Sequence, residues 1–177
     1  MTNVNDELTL IEGMKKMKVL EKRITHYTQQ VTEYSSKLSN EKPQFETEKE
    51  QREKIVSLTQ AIEDLTVEYR ELHNRVNYTN MFTKVTVAGK EYSIHDLILI
   101  KRKLADCNIG AFTAMTDIIA ERRLKNRSGE GITVERLYDE NFKNKKLEFW
   151  RELKETIDGR LESVNATTKL MPFPSIG

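Results

Sequence analysis

Residues 10–38 read LIEGMKKMKVLEKRITHYTQQVTEYSSKL, and their apolar side chains recur every seven positions. One heptad position holds Leu10, Met17, Ile24, Val31 and Leu38, and another holds Leu20, Tyr27 and Tyr34. A repeat of this kind places the apolar side chains along one stripe of an α-helix. The stretch therefore predicts a long helix that packs against another helix.

A second apolar seam follows the first, with spacings that alternate between three and four residues. It comprises Ile55, Leu58, Ile62, Leu65, Tyr69, Leu72 and Val76. We expect the first helix to begin near Asn5 or Asp6, both good N-cap types, and to end before Pro43. With a turn at residues 39–44, residues 1–45 and 46–80 should then form an antiparallel helical hairpin.

The pattern changes after the second helix. Residues 82–93 alternate in the style of extended strands around Ala88-Gly89, which predicts a small β-hairpin. Ser93 and Asp96 have the spacing of a capping box and predict a third helix over residues 94–125.

The last part of the chain completes a four-helix arrangement. Residues 132–138 could add a strand to the hairpin, and residues 141–168 predict a fourth helix. Prolines make residues 169–177 an extended tail. The predicted fold is a single, mainly α domain spanning residues 1–177, with long antiparallel helices in coiled-coil-like packing and a small β-hairpin or sheet.

Composition narrows the class of partner. The chain is 32% charged and 7% aromatic, which is typical of long solvent-exposed helices. Lys and Arg number 29 against 28 Asp and Glu, a net charge of +1, so we expect no nucleic-acid polymer as partner. Residues 1–10 lack the apolar run of a signal peptide, and no stretch approaches the roughly 18 apolar residues of a spanning helix. With Cys107 as its single cysteine, the chain is expected to be cytoplasmic, without a membrane partner.

Motifs for catalysis are missing from the sequence. His26, His73 and His95 are scattered, and there is no Cys-x-x-Cys, His-Glu-x-x-His or glycine-rich nucleotide motif. Adjacent acids such as Glu63 and Asp64 point in different directions on a helix and make a poor general acid/base pair. We therefore expect no enzyme, no metal and no cofactor.

Two polar runs interrupt the apolar seams at the predicted ends of the second and fourth helices. The first includes Asn77, Tyr78, Thr79 and Asn80, and the second includes Asn165, Thr167 and Thr168. An Asn side chain offers both donors and an acceptor, so the two runs could bind a polar ligand if they converge. Alternatively, these residues cap helices and shape turns, where Asn and Thr are common.

Cations collect at the predicted end of the third helix, at Arg122, Arg123, Lys125 and Arg127. Positive charge at a helix C-terminus complements the helix dipole. If Arg75, Arg122, Arg123 and Arg160 gathered around one cleft, they would also suit a phosphate group through charge-assisted hydrogen bonds.

The polar runs carry a resemblance to a known family. Val76-Asn77-Tyr78-Thr79-Asn80, the turn at Gly89 and Asn165-Ala166-Thr167-Thr168-Lys169-Leu170 resemble, in order and spacing, the paired motifs of the septicolysin-like family. Tyr78 and Ala166 stand where that family commonly has Arg and Trp. These are small helical bacterial proteins whose function is mostly unassigned, and the resemblance implies a mainly helical, oligomeric protein with a small β element.

Two functions follow as hypotheses. The first is a non-enzymatic homo-oligomer that binds or sequesters a small polar ligand, anionic or nucleotide-like. The alternative is a structural coiled-coil adaptor whose partner is a protein. The candidate ligand-binding residues are Arg75, Asn77, Tyr78, Thr79, Asn80, Arg122, Arg123, Arg160, Asn165, Thr167 and Thr168.

Overall fold

A computed structural model describes residues 8–127 and 131–174 and confirms a mainly α fold with a small β-hairpin. In chain order the elements are α1 (Leu10–Tyr34), α2 (Glu48–Phe82), β1 (Lys84–Val87), β2 (Lys90–Ser93), α3 (Ile94–Leu99), a π-helical turn (Ile100–Leu104), α4 (Ala105–Thr113), α5 (Ile118–Lys125) and α6 (Glu140–Thr167). Where the sequence predicts one domain, the chain divides into two compact units. The first unit comprises residues 8–80 and 165–174, and the second comprises residues 81–127 and 131–164.

In the first unit, α1 and the part of α2 up to residue 80 run antiparallel. Lys16 near the start of α1 pairs with Glu68 at 2.7 Å, whereas Tyr34 at its end accepts a hydrogen bond from the side chain of Gln51 at 2.7 Å. Most of the buried residues of the first unit belong to the two predicted apolar seams, because apolar side chains at helical spacing face the neighbouring helix. The buried members are Leu10, Leu20, Leu58, Leu65, Leu72 and Val76.

The start of α1 differs from the one expected, whereas its end agrees with the prediction of a stop before Pro43. Thr9 is the N-cap and forms a capping box with Glu12, whereas Asn5 and Asp6 lie outside the described residues. Since Thr9 donates hydrogen bonds from both its backbone and its hydroxyl to the Glu12 carboxylate, the pKa of Glu12 is lowered. The helix ends at Tyr34, before Pro43, and the Tyr34 carbonyl accepts a hydrogen bond from the Gln51 side chain. Leu38, a member of the predicted seam, therefore lies beyond the helix and is 64% exposed.

The predicted hairpin is confirmed. Lys84 pairs with Ser93 and Val87 with Lys90 in an antiparallel register. The chain turns at Ala88 and Gly89, whose φ angles of +50° and +75° suit a tight two-residue turn.

The start of the third helix is also confirmed. Ser93 Oγ accepts from the Asp96 N–H at 3.0 Å, and Asp96 in turn accepts from the Ser93 N–H at 3.1 Å. This reciprocal capping box begins α3, and it lowers the pKa of Asp96.

The prediction of one continuous helix over residues 94–125 is wrong. Helical structure ends at Thr113, and α5 begins separately at Ile118. Asp117 occupies the N-cap position of α5 but makes no side-chain cap hydrogen bond, because its carboxylate accepts from Arg136 instead.

Residues 132–138 form no strand, so that prediction is wrong as well. The guanidinium of Arg136 donates to Asp117 Oδ2 through Nε at 3.0 Å and an Nη at 2.6 Å, and its Nε also donates to Oδ1 at 3.3 Å. A side-chain ion pair thus holds this segment in place of a backbone ladder. The fourth predicted helix is present as α6, whose buried residues are Leu153, Ile157 and Leu161.

Candidate functional site

The first predicted polar run meets the segment that follows α6, within the first unit. Thr79 is fully buried, and its hydroxyl donates to the Arg75 carbonyl at 2.8 Å. The same oxygen accepts from the Met171 N–H at 2.9 Å. The Thr79 hydroxyl is therefore used to bind the tail.

Arg75 holds the same tail segment. Its Nε donates to the Met171 carbonyl and one Nη donates to the Leu170 carbonyl, both at 3.3 Å. Hydrogen bonds from a guanidinium to carbonyl oxygens are charge-assisted and stronger than neutral ones. A phosphate at Arg75 would compete with the tail for these donors.

The tail also pairs with the residues that precede α1. The Leu10 N–H donates to the Thr168 carbonyl at 2.9 Å, and the Leu170 N–H donates to the Leu8 carbonyl at 2.8 Å. Thr9 and Lys169 form a single antiparallel bridge between these two bonds. We call residues 8–10 and 168–171, together with Arg75 and Thr79, the clasp.

The clasp has an apolar side. Leu170 is buried, and it packs so closely on α1 that a Cβ at Gly13 would lie 2.8 Å from its Cδ1 and 3.4 Å from Val76 Cγ2. Such distances are shorter than ordinary carbon contacts, so glycine lets the tail approach the helix. Sequence reasoning missed Gly13, Leu170 and Met171, although a glycine in a buried helix stripe is a sign of close packing.

The other predicted residues of the polar runs have different surroundings, and Thr168 belongs to the clasp through its backbone. The exposed Asn77 amide lies 3.2 Å from His73 Nδ1, and the Tyr78 ring meets Phe173 edge to face at 5.8 Å. Of the remaining members, Thr167 is exposed, and the half-buried ones are Asn80, Asn165 and Thr168. In residues 8–127 and 131–174, no hydrogen bond links Asn77 to Asn165. Thr79 and Arg75 bind residues 170–171 of the tail, which follow the second run.

The second unit contains a long stretch without a core. From Asp106 to Glu152, none of the described residues is buried. Large apolar side chains nevertheless occur throughout, and Leu137 is 91% exposed. We call this stretch, with its described residues 106–127 and 131–152, the uncovered region.

α5 lies in the uncovered region and has two different sides. One side lines a cleft of about 220 Å³ through Ala120, Arg123, Leu124 and Arg127, together with residues 132–135. The other side, at helical spacing, carries the exposed Ile118, Ile119, Arg122 and Lys125. The predicted cationic cluster is thus divided between the two sides of one helix.

A charged network anchors the segment between α5 and α6. Arg136 pairs with Asp117 and, at 3.0 Å, with Glu140. Arg136 and Lys143 both lie over the Tyr138 ring, at 5.4 and 5.3 Å from its centre. The Arg136 guanidinium lowers the pKa of Asp117, because its hydrogen bonds favour the charged carboxylate.

One side of α6 is acidic, although residues 140–152 of this helix as a whole hold four cations and three anions. A groove of about 390 Å³ runs along it and is lined by Asn144, Leu147, Glu148, Arg151, Glu152 and Glu155. Three carboxylates face one guanidinium in this groove. Arg160, the remaining predicted site residue, is exposed on α6 and is not part of the groove lining.

A further cleft of about 330 Å³ lies in the first unit, where the end of α1 faces the start of α2. Gln51 is buried in its wall and is satisfied, since it donates to the Tyr34 carbonyl and accepts from the Gln44 N–H at 3.1 Å. Lys37 pairs with Glu48 across the cleft at 3.0 Å and lowers the pKa of that carboxylate. The polar groups that this cleft presents are thus largely paired with one another.

Residues 8–127 and 131–174 hold neither a cluster of metal ligands nor a helix that could span a membrane. No three His, Cys, Asp or Glu side chains are grouped so that they could hold a metal ion. Within the same residues, every helix is too short or too polar to cross a membrane.

Comparison with known proteins bears on the fold. No family model and no curated protein matches the chain. Its structure is similar to a crystal structure described as a functionally unknown conserved protein from Corynebacterium diphtheriae. The similarity covers 93% of this chain and 99% of that chain, with a TM-score of 0.56 and 16% sequence identity. A likeness at this level of identity supports the fold.

Proposed function

We propose that this chain is a non-enzymatic helical protein that works as a homo-oligomer, in which other copies cover its second unit. The observation that carries the proposal is the uncovered region, in which no described residue is buried. Ordering a chain costs conformational entropy, and burial of apolar surface is the main term that offsets it. A region of this length without a core needs another surface to bury its apolar side chains.

The strongest case within that region is α5. It has eight residues, none of which is buried, and Ile118 and Ile119 are 48% and 55% exposed. Isolated helices shorter than about 12–15 residues are marginal in water, because nucleation is costly and most helical stability comes from packing. An eight-residue helix with two exposed isoleucines is therefore best explained as one side of an interface.

The composition of the uncovered region also fits an interface. Its exposed large apolar residues include Ile118, Ile119, Ile132, Leu137, Phe142 and Phe149. Burying one such side chain contributes about 1.5–3 kcal/mol, and aromatic residues are enriched in the cores of interfaces.

The clasp favours this proposal over a ligand site at the polar runs. Arg75 and Thr79 bind main-chain atoms of the tail, and Asn77 contacts its own helix. These contacts agree with the structural reading of the runs, in which polar residues satisfy backbone groups where helices end.

The proposal is tested by the mass of the protein in solution. Sedimentation velocity across micromolar concentrations should give multiples of the 20.7 kDa chain. Ile119→Asp should weaken association, because a buried unpaired carboxylate is costly. Val56→Asp is the matched control, since Val56 is a β-branched helical residue of the first unit that is 67% exposed. A mass of one chain at every concentration would refute the proposal.

A second candidate function is binding of a small anion in the cleft beside α5. Two guanidinium groups, those of Arg123 and Arg127, line this cleft together with one carboxylate, that of Glu135, so its lining is net positive. Calorimetric titration with mono-, di- and cyclic nucleotides tests it, with Arg123→Gln as the variant and Arg122→Gln, on the other side of α5, as the control. Each charge-assisted hydrogen bond is worth about 1.5–3 kcal/mol, or about tenfold or more in affinity. If the wild type shows no heat of binding, or if both variants lose this heat equally, the protein does not bind a small anion in this cleft.

A further inference from the structure

From the charges of the uncovered region we infer which surfaces meet: the outer face of α5 in one copy docks in the acidic groove of α6 in a second copy. The inference rests on the proposed homo-oligomer and specifies its interface. The outer face of α5 consists of Ile118, Ile119, Arg122 and Lys125, and the acidic groove is the one that contains Leu147, Glu148 and Glu152.

The outer face of α5 combines apolar and basic side chains. Ile118, Arg122 and Lys125 are spaced by four and three residues, so they share one side of the helix, and Ile119 borders them. All four are exposed. Including Glu121 and the cleft-lining Arg123, α5 carries three cations and one anion, so it presents net positive charge.

The groove on α6 has the opposite charge. Glu148 and Glu152 are one helical turn apart, about 6 Å along the axis, and Glu155 extends the same side. Arg151 is the one cation in the lining, so the groove is net negative. Half-buried Leu147 supplies an apolar surface on which Ile118 or Ile119 could pack.

Both surfaces lack partners within the described chain. Across residues 8–127 and 131–174, Arg122, Lys125, Glu148 and Glu152 take part in no ion pair. Two surfaces of opposite charge on one chain can pair reciprocally in a two-fold dimer, because each copy offers one of each. Such a dimer contains two identical α5–α6 contacts, and complementary charge favours both.

A reciprocal charge exchange tests this interface. Variant one is Arg122→Glu with Lys125→Glu, and variant two is Glu148→Lys with Glu152→Lys. Each variant alone places like charges at both contacts of a dimer, so we expect at least about tenfold weaker self-association. An equal mixture restores opposite charges at both contacts, so the mixed dimer should form with an affinity near that of the wild type.

The controls separate this inference from the proposed function. Lys15→Glu with Lys18→Glu reverses two exposed cations of α1 at the same three-residue spacing and should leave association unchanged. Recovery in the mixture shows that both variants are folded, since an unfolded chain cannot complete a dimer. If the wild type associates and the single variants associate equally well, or if the mixture fails to recover, this interface is wrong while the homo-oligomer stands. If the wild type is monomeric throughout, both fail.

Discussion

Thr79→Val removes one hydroxyl from the clasp while nearly preserving side-chain volume. The fully buried hydroxyl accepts from the Met171 N–H at 2.9 Å and donates to the Arg75 carbonyl at 2.8 Å. In the variant, the Met171 N–H loses its acceptor at a part-buried position. An unsatisfied donor of this kind costs about 1–3 kcal/mol, so the free energy of unfolding should fall by that amount. The melting temperature should drop by about 2–4 °C for each kcal/mol in a chain of this length.

Thr66→Val is the matched control for this change. Thr66 is exposed on α2, and its hydroxyl donates only to the Ile62 carbonyl, at 2.8 Å. The substitution and the local helical hydrogen bond are the same as at Thr79, but the tertiary partner is missing. We expect a change within about 0.5 kcal/mol, as for ordinary surface substitutions.

Urea unfolding followed by circular dichroism measures both variants, and hydrogen exchange reports the clasp directly. The Met171 amide should exchange faster in Thr79→Val than in the wild type, and at the wild-type rate in Thr66→Val. Equal losses of stability in the two variants, or a Met171 amide that stays protected in Thr79→Val, would refute the role that we assign to the Thr79 hydroxyl.

Two more substitutions probe the packing of the tail and the charged network of the second unit. Leu170→Ala should lower the free energy of unfolding by about 2–5 kcal/mol, because Leu170 is only 3% exposed. Leu137→Ala is the control and should change the free energy of unfolding little, since Leu137 is 91% exposed. Similar shifts of the melting temperature in the two variants would contradict a packed tail. Arg136 lowers the pKa of Asp117 in the folded protein below its ordinary value of 3.8. The ion pair therefore stabilises the folded state fully at pH values above 3.8, and this stabilisation is lost as the pH falls through the lower pKa of the folded protein. Asp117→Asn should therefore lower the free energy of unfolding at about pH 6. In denaturation curves taken below pH 3.8, the difference in this free energy between variant and wild type should become smaller. A difference that stays constant with pH would count against the ion pair.

Features that are determined by residues close together in the sequence were predicted correctly. The seam of α2 has its buried leucines at Leu58, Leu65 and Leu72, seven residues apart, because helical geometry alone decides which side chains share a face. The turn at Ala88-Gly89 and the capping box at Ser93 were also predicted, since each depends on residues within a few positions.

The candidate site could be predicted only in part. Thr79 and Arg75 were identified as unusual polar residues, and both lie in the clasp, but their partners Leu170 and Met171 are more than 90 residues away in the sequence. Whether a buried hydroxyl binds a ligand or a neighbouring backbone depends on what lies beside it, and composition carries no information about that. The pocket of Asn77 and Asn165 stays a prediction.

The sequence by itself determined the helical character of the chain, the buried stripe of α2, and the hairpin, because these follow from periodicity and short-range hydrogen bonding. Only the tertiary structure decided that Ile118 and Ile119 are exposed on a short separate helix. The sequence predicts both inside one continuous helix over residues 94–125. A side chain is buried only where another element covers it, and in the structure Ile118 and Ile119 are 48% and 55% exposed.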